Sequence, residues 1–85
     1  MSTKKSPAHA RTEIRIGIAD TTQELSLESE STQEEIIKLV TSALDSGAAL
    51  TLVDIKGRNT IVPNGKISFV EVGESAERKV GFTNL

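Results

Sequence analysis

The chain has no cysteine, no tryptophan and no tyrosine, and only two aromatic residues, Phe69 and Phe82. Without cysteine there is no disulfide framework and no thiolate metal site. That absence fits a reducing compartment, and the expected location is the cytoplasm. So few aromatics argue against single-strand nucleic-acid recognition by stacking platforms. They also argue against an interface anchored by Trp or Tyr. No apolar run approaches the roughly 18 residues that a membrane span needs, so no membrane partner is expected. The N-terminal MSTKKSPAHAR is basic but has no apolar segment, and does not read as a secretory leader. Only one histidine occurs, His9, within that polar stretch. A single imidazole with nothing nearby to fix its tautomer is a poor catalyst or ligand.

What is present fits one small domain. The chain has 85 residues and a net charge of −2. A chain of this size is marginally stable alone, and oligomerisation is a common remedy. Charge is uneven along it. Residues 1–11 carry +3, residues 12–45 carry −6, and residues 46–85 carry +1. Residues 1–11 read as a disordered tail and 12–85 as a single domain.

Thr12 to Ala19 alternates Ile14, Ile16 and Ile18 with Glu13, Arg15 and Gly17, the period of a half-buried strand. Gly17 suits a bulge or a close backbone approach. Asp20–Thr22 reads as a turn, and Gln23–Ser29 as a second strand with Leu25 and Leu27 inward. Arg15 is placed to meet an outward glutamate of that strand. Ser31 with Glu34, or Thr32 with Glu35, forms a capping box. Ile36, Ile37, Val40, Ala43 and Leu44 recur at helical spacing, with Leu39 widening the stripe, and Gly47 suits a left-handed cap. A helix over about 33–45 follows. Three strands are expected next, over 49–54, 58–62 and 66–72. Turns at Asp54–Gly57 and Pro63–Gly65 join them, and Gly73 ends the last. The predicted fold is α+β in the order ββαβββ, with one mixed or antiparallel sheet and a single helix on one face. A β-grasp-like arrangement leads, with an open helix-on-sheet sandwich as the alternative.

The C-terminal strands carry apolar residues on both faces. If the helix covers Leu50, Leu52, Ile67 and Phe69, then Val53, Ile55, Val70 and Val72 form a second apolar face. With Phe82, they make an interaction face for a protein partner or a second copy, most simply in a two-fold dimer. The basic residues Lys56, Arg58, Lys66, Arg78 and Lys79 are the other constellation. Lys66 lies at the opposite turn from Lys56 and Arg58, roughly 15–20 Å away along a strand, so a continuous patch is not expected. Asp54 and Glu71 are the only carboxylates considered as a catalytic pair. The simpler reading makes Asp54 a turn residue and Glu71 an exposed strand end. No phosphate loop, nucleophile elbow or calcium loop is present. No cofactor and no enzymatic activity are expected. The leading function is a non-enzymatic interaction or regulatory module. The alternative is weak nucleic-acid binding through Lys56, Arg58, Arg78 and Lys79.

Several segments together carry a resemblance: IRIGI at 14–18, ELSLES at 24–29, LTLVDIKGR at 50–58, IVP at 61–63, ISFVEVG at 67–73 and RKVGF at 78–82. Over about residues 13–82 the chain resembles a family of short, uncharacterised actinobacterial proteins, a domain of unknown function. The resemblance implies an intracellular protein with no assigned activity, and makes the N-terminal dozen residues an extension. Some members carry an ATP-binding label, which no glycine-rich phosphate loop in this chain supports.

Overall fold

In the computed structural model, residues 11–75 are described. Five strands and one helix follow in the order ββαβββ. They are β1 (Thr12–Ile18), β2 (Glu24–Ser29), α1 (Gln33–Ser46), β3 (Leu50–Val53), β4 (Asn59–Val62) and β5 (Ile67–Glu74). A 3-10 turn over Asn64–Lys66 precedes β5. The strands form two antiparallel sheets rather than one: a three-stranded sheet in the order β2-β1-β5 and a two-stranded β3-β4 hairpin. The first and last strands are neighbours but run antiparallel, whereas a β-grasp sets them parallel.

The division into two sheets starts at Asn64. Asn-Gly is a strong hairpin signal when glycine and asparagine take positive φ. Here Gly65 does not, and only Asp20, Gly47 and Gly57 have positive φ among the described residues. The Asn64 side-chain amide donates instead to the carbonyls of Ala43 and Ala48, at 3.0 and 3.2 Å. The Ala43 carbonyl also accepts the Gly47 and Ala48 amides that close the helix, so Asn64 is tied to the helix C-terminal cap. Tied there, the chain leaves β4 in a 3-10 turn, closed by Lys66 N–H donating to the Pro63 carbonyl. It then enters the other sheet as β5.

The helix follows local rules. Thr32 caps it by accepting from the Glu35 amide at 3.1 Å, while the Glu35 carboxylate accepts from the Thr32 amide at 2.9 Å. Of the two possible capping boxes, this one forms. Gly47 closes the far end with φ 79°, a left-handed conformation that costs glycine little. Ile36, Val40 and Ala43 point into the core. Ile37, Leu39 and Leu44 remain largely exposed.

The core joins both sheets to the helix. Ile14 and Ile16 of β1 are fully buried, as is Leu50 of β3, with Leu52 and Val62 nearly so. Each such side chain removed from water contributes about 1.5–3 kcal/mol. Opposed residues in an antiparallel ladder share a face. Ile14 opposes Leu27 and Val72, and Ile16 opposes Leu25 and Val70, so these residues lie on the helix side of the sheet.

That register corrects the expected sides of β5. Val70 and Val72 face inward and pack against the core. Phe69 faces outward and is 39 % exposed. A bulge causes the change: β5 pairs Phe69 with Gly17 and Ile67 with Ile18, leaving Ser68 as an extra residue. Two β5 residues then oppose one on β1, and the strict alternation of faces breaks. Ile67 therefore stays on the core side as expected, while Phe69 does not. The strand also runs through Gly73 to Glu74, because Gly73 and Glu74 continue the ladder with Glu13 and Thr12. Arg11, placed in the tail by composition, sits at the sheet margin, where its carbonyl accepts from the Ser75 amide.

Candidate functional site

The outer face of the three-stranded sheet is built by the residues that alternate with the core. β1 contributes Glu13, Arg15 and Gly17, β2 contributes Glu24, Ser26 and Glu28, and β5 contributes Phe69, Glu71 and Gly73. Arg15 stands at its centre, on the middle strand. Its Nη2 donates to Glu71 Oε1 on β5 at 2.7 Å, and its Nη1 lies 3.4 Å from Glu24 Oε1 on β2. Its guanidinium carbon lies 5.9 Å from the centre of the Phe69 ring. One side chain thus ties all three strands together across the surface.

Gly17 makes room for this arrangement. A β-carbon there would lie 2.2 Å from Phe69 Cε2 and 2.7 Å from Ser68 Oγ. The phenyl ring lies across the β1 backbone because no side chain stands in its way. The bulge at Ser68 turns the ring outward, glycine lets it settle flat, and Arg15 meets it. Exposed ion pairs contribute about 0.2–1 kcal/mol each, and an exposed cation–π contact about 0.5–1 kcal/mol. The cluster is therefore a shaped surface feature more than a source of stability. Next to it, a hollow of about 540 Å³ is lined by Glu13, Arg15, Glu71, Val72 and Gly73. At the sheet margin, Glu28 accepts a hydrogen bond from Ser75 Oγ and lies 3.8 Å from Arg11 Nη1.

The expected interaction face is not assembled as one surface. Val53 is on the exposed side of β3, 53 % exposed and next to Ile61. Ile55 is half-buried in the β3–β4 loop, where its amide donates to the Glu28 carbonyl at 2.9 Å. Val70 and Val72 belong to the other sheet and face the helix. Phe82 lies outside the described residues.

Of the basic residues, Lys56 and Arg58 share the β3–β4 loop and are exposed. Lys66 is exposed at the 3-10 turn. Arg78 and Lys79 lie outside the described residues. Asp54 organises the loop: one carboxylate oxygen accepts from the amides of both Lys56 and Arg58 at 2.8 Å. The Arg58 amide is the largest cause holding the Asp54 carboxyl below its ordinary value. Desolvation comes next in size and opposes it, while the Lys56 amide and the two cationic side chains lower the carboxyl further. Asp54, in the β3–β4 loop, and Glu71, on β5, have separate partners. Among the described residues, no three or more His, Cys, Asp or Glu side chains are placed to hold a metal ion. No helix among them is long and apolar enough to cross a membrane.

The Arg15–Phe69 cluster is partly legible in the sequence. The pairing of Arg15 with a β2 glutamate follows from strand alternation, and Gly17 suits a close backbone approach. Phe69 is not legible there, because the bulge reverses its face. A model of the family described as Protein of unknown function (DUF3107) matches residues 12–83. The chain belongs to that family. The match spans every strand and the helix, so the DUF3107 domain includes both sheets and the Arg15 face. No match is found among curated proteins.

Proposed function

We propose that this DUF3107 protein is a small non-enzymatic interaction module, an adaptor or regulatory subunit that docks a protein partner on the Arg15 face. The observation that supports it is the placement of Phe69 and Arg15 together on a sheet face left open among the described residues. An exposed aromatic ring beside a guanidinium is the kind of pair that anchors protein interfaces. Arg15 is held at both hands by carboxylates, so it loses little freedom when a partner arrives. The motif resemblance to short actinobacterial proteins supports an intracellular, cytoplasmic role in such an organism.

The test is affinity enrichment from native lysate of the source organism, with the wild-type chain compared with Arg15→Ala and Phe69→Ala. Both variants should remain folded by circular dichroism. A partner held by the wild type and lost from both variants supports the proposal. Equal recovery by all three chains removes this face from the reading. Nucleic-acid binding through Lys56 and Arg58 is separated by a salt titration, because phosphate contacts weaken steeply as salt rises.

A further inference from the structure

The two edges of the three-stranded sheet differ. The β2 edge is engaged at Glu28 by the Ile55 amide of the hairpin loop. The β5 edge carries no strand among the described residues. An open edge is a template for another strand, and proteins usually guard one with lysine, proline or a bulge. β5 has the bulge at Ser68 but neither lysine nor proline between Ile67 and Glu74. Beyond Ser68 its stretch Phe69–Glu74 pairs regularly with β1.

We infer that this edge pairs with β5 of a second copy, antiparallel and centred on Glu71, to give a continuous six-stranded sheet across a two-fold axis. The inference rests on the interaction-module reading and names one partner for it. The centre is chosen by side-chain complementarity. A two-fold at Glu71 sets Val70 opposite Val72 of the second copy, on the helix side of both sheets. On the outer side it sets Phe69 opposite Gly73 of the second copy, which has no side chain to disturb the ring seated over Gly17. The two Glu71 carboxylates meet at the axis, a repulsive pair unless compensated. Each is already bound by its own Arg15 at 2.7 Å, so the axis carries two carboxylates and two guanidiniums. Centring on Val70 instead would run the pairing into the bulge at Ser68. Centring on Val72 would set Glu74 against Val70.

The helices support the same geometry. α1 packs against β5, and a two-fold normal to the sheet keeps both helices on one side. Ile37 and Leu44 are exposed on one flank of α1 and Leu39 on the other. Whichever flank lies along β5, it carries an apolar side chain. Because β5 pairs with β5 about a two-fold axis, the interface is isologous and the assembly closes at two copies.

The full chain at micromolar concentration should sediment at twice its 9.1 kDa mass. A mass of one chain throughout overturns the inference. The register is read with Glu71→Cys. Because the chain has no cysteine, a cross-link at that position reports only the meeting of two copies. Directly opposed β-carbons lie about 4.5–5.5 Å apart, close enough for a disulfide to form with small adjustment. Mild oxidant should link Glu71→Cys chains at least tenfold faster than Glu34→Cys, an exposed helix control; equal rates overturn the register. Glu71→Lys gathers four cations at the axis and should sediment as a single chain with an unchanged circular dichroism spectrum. A double-mass Glu71→Lys also overturns it. If the wild type is a monomer yet its lysate partner still depends on Arg15, self-pairing fails and the docking face stands.

Discussion

The ring of Phe69 occupies the space that a side chain at position 17 would need, with Cε2 only 2.2 Å from where a β-carbon of Gly17 would stand. The two residues oppose one another across β1 and β5, at the point where the bulge shifts the register. Three local features, a glycine, an extra residue and an aromatic ring, therefore depend on one another. The Arg15 face depends on all three.

Gly17→Ala should destabilise the domain by about 1–3 kcal/mol, the usual cost of forcing an extra methyl into a filled space. Replacing Phe69 by alanine as well should recover much of that loss. Chemical denaturation of the two single variants and the double variant measures the coupling. Additive losses would mean the ring moves aside freely.

Arg15→Ala should cost little stability, under about 1 kcal/mol for each exposed ion pair removed, while changing the outer surface strongly. Thermal unfolding checks the first part. A loss of several kcal/mol would show that Arg15 holds the strands together rather than presenting a surface.

Val70→Asp should unfold the domain or destabilise it severely, because Val70 opposes Ile16 on the core side and the new carboxylate would face apolar surroundings. Val53→Asp should be tolerated, because Val53 is on the exposed side of β3. Circular dichroism of the two variants separates the actual faces from those that simple alternation assigns.

Thr32→Ala removes the acceptor for the Glu35 amide and half of the capping box. A loss of about 1 kcal/mol is expected. Measured against Ser31→Ala, the same experiment tests which residue caps α1. Although Ser31 is the other candidate by sequence, its side chain is not the cap.

Acidification should loosen the β3–β4 loop. The Asp54 carboxyl is held below its ordinary value of 3.8, chiefly by the Arg58 amide. A lowered carboxyl stabilises the fold above its unfolded-state value and loses that contribution as pH falls through the folded value. The window therefore opens below about pH 4. The amide resonances of Lys56 and Arg58 should move together there. Asp54→Asn, which keeps an oxygen acceptor but not the charge, should abolish the step.

Much of the local structure follows from neighbouring residues alone. Thr32, Glu35 and Gly47 bound the helix because capping groups act within one turn. Asp54 and Gly57 shape the hairpin loop for the same reason: the carboxylate reaches amides two and four residues ahead, and Gly57 supplies the positive φ. The alternation of Ile14 and Ile16 marks β1 as half-buried without reference to any partner. The side on which β5 shows its residues is a different kind of fact. It depends on which residue of β1 faces Ser68, and a bulge of one residue reverses the pattern from that point on. The separation of β4 from β5 depends on carbonyls near the helix end, about twenty residues back, that capture the Asn64 side chain. The sequence alone determined the elements and their order, and narrowed the N-terminal cap of α1 to two neighbouring residues. Tertiary structure decided which strands pair and which faces open to water, because register is set by contacts between residues far apart in the chain.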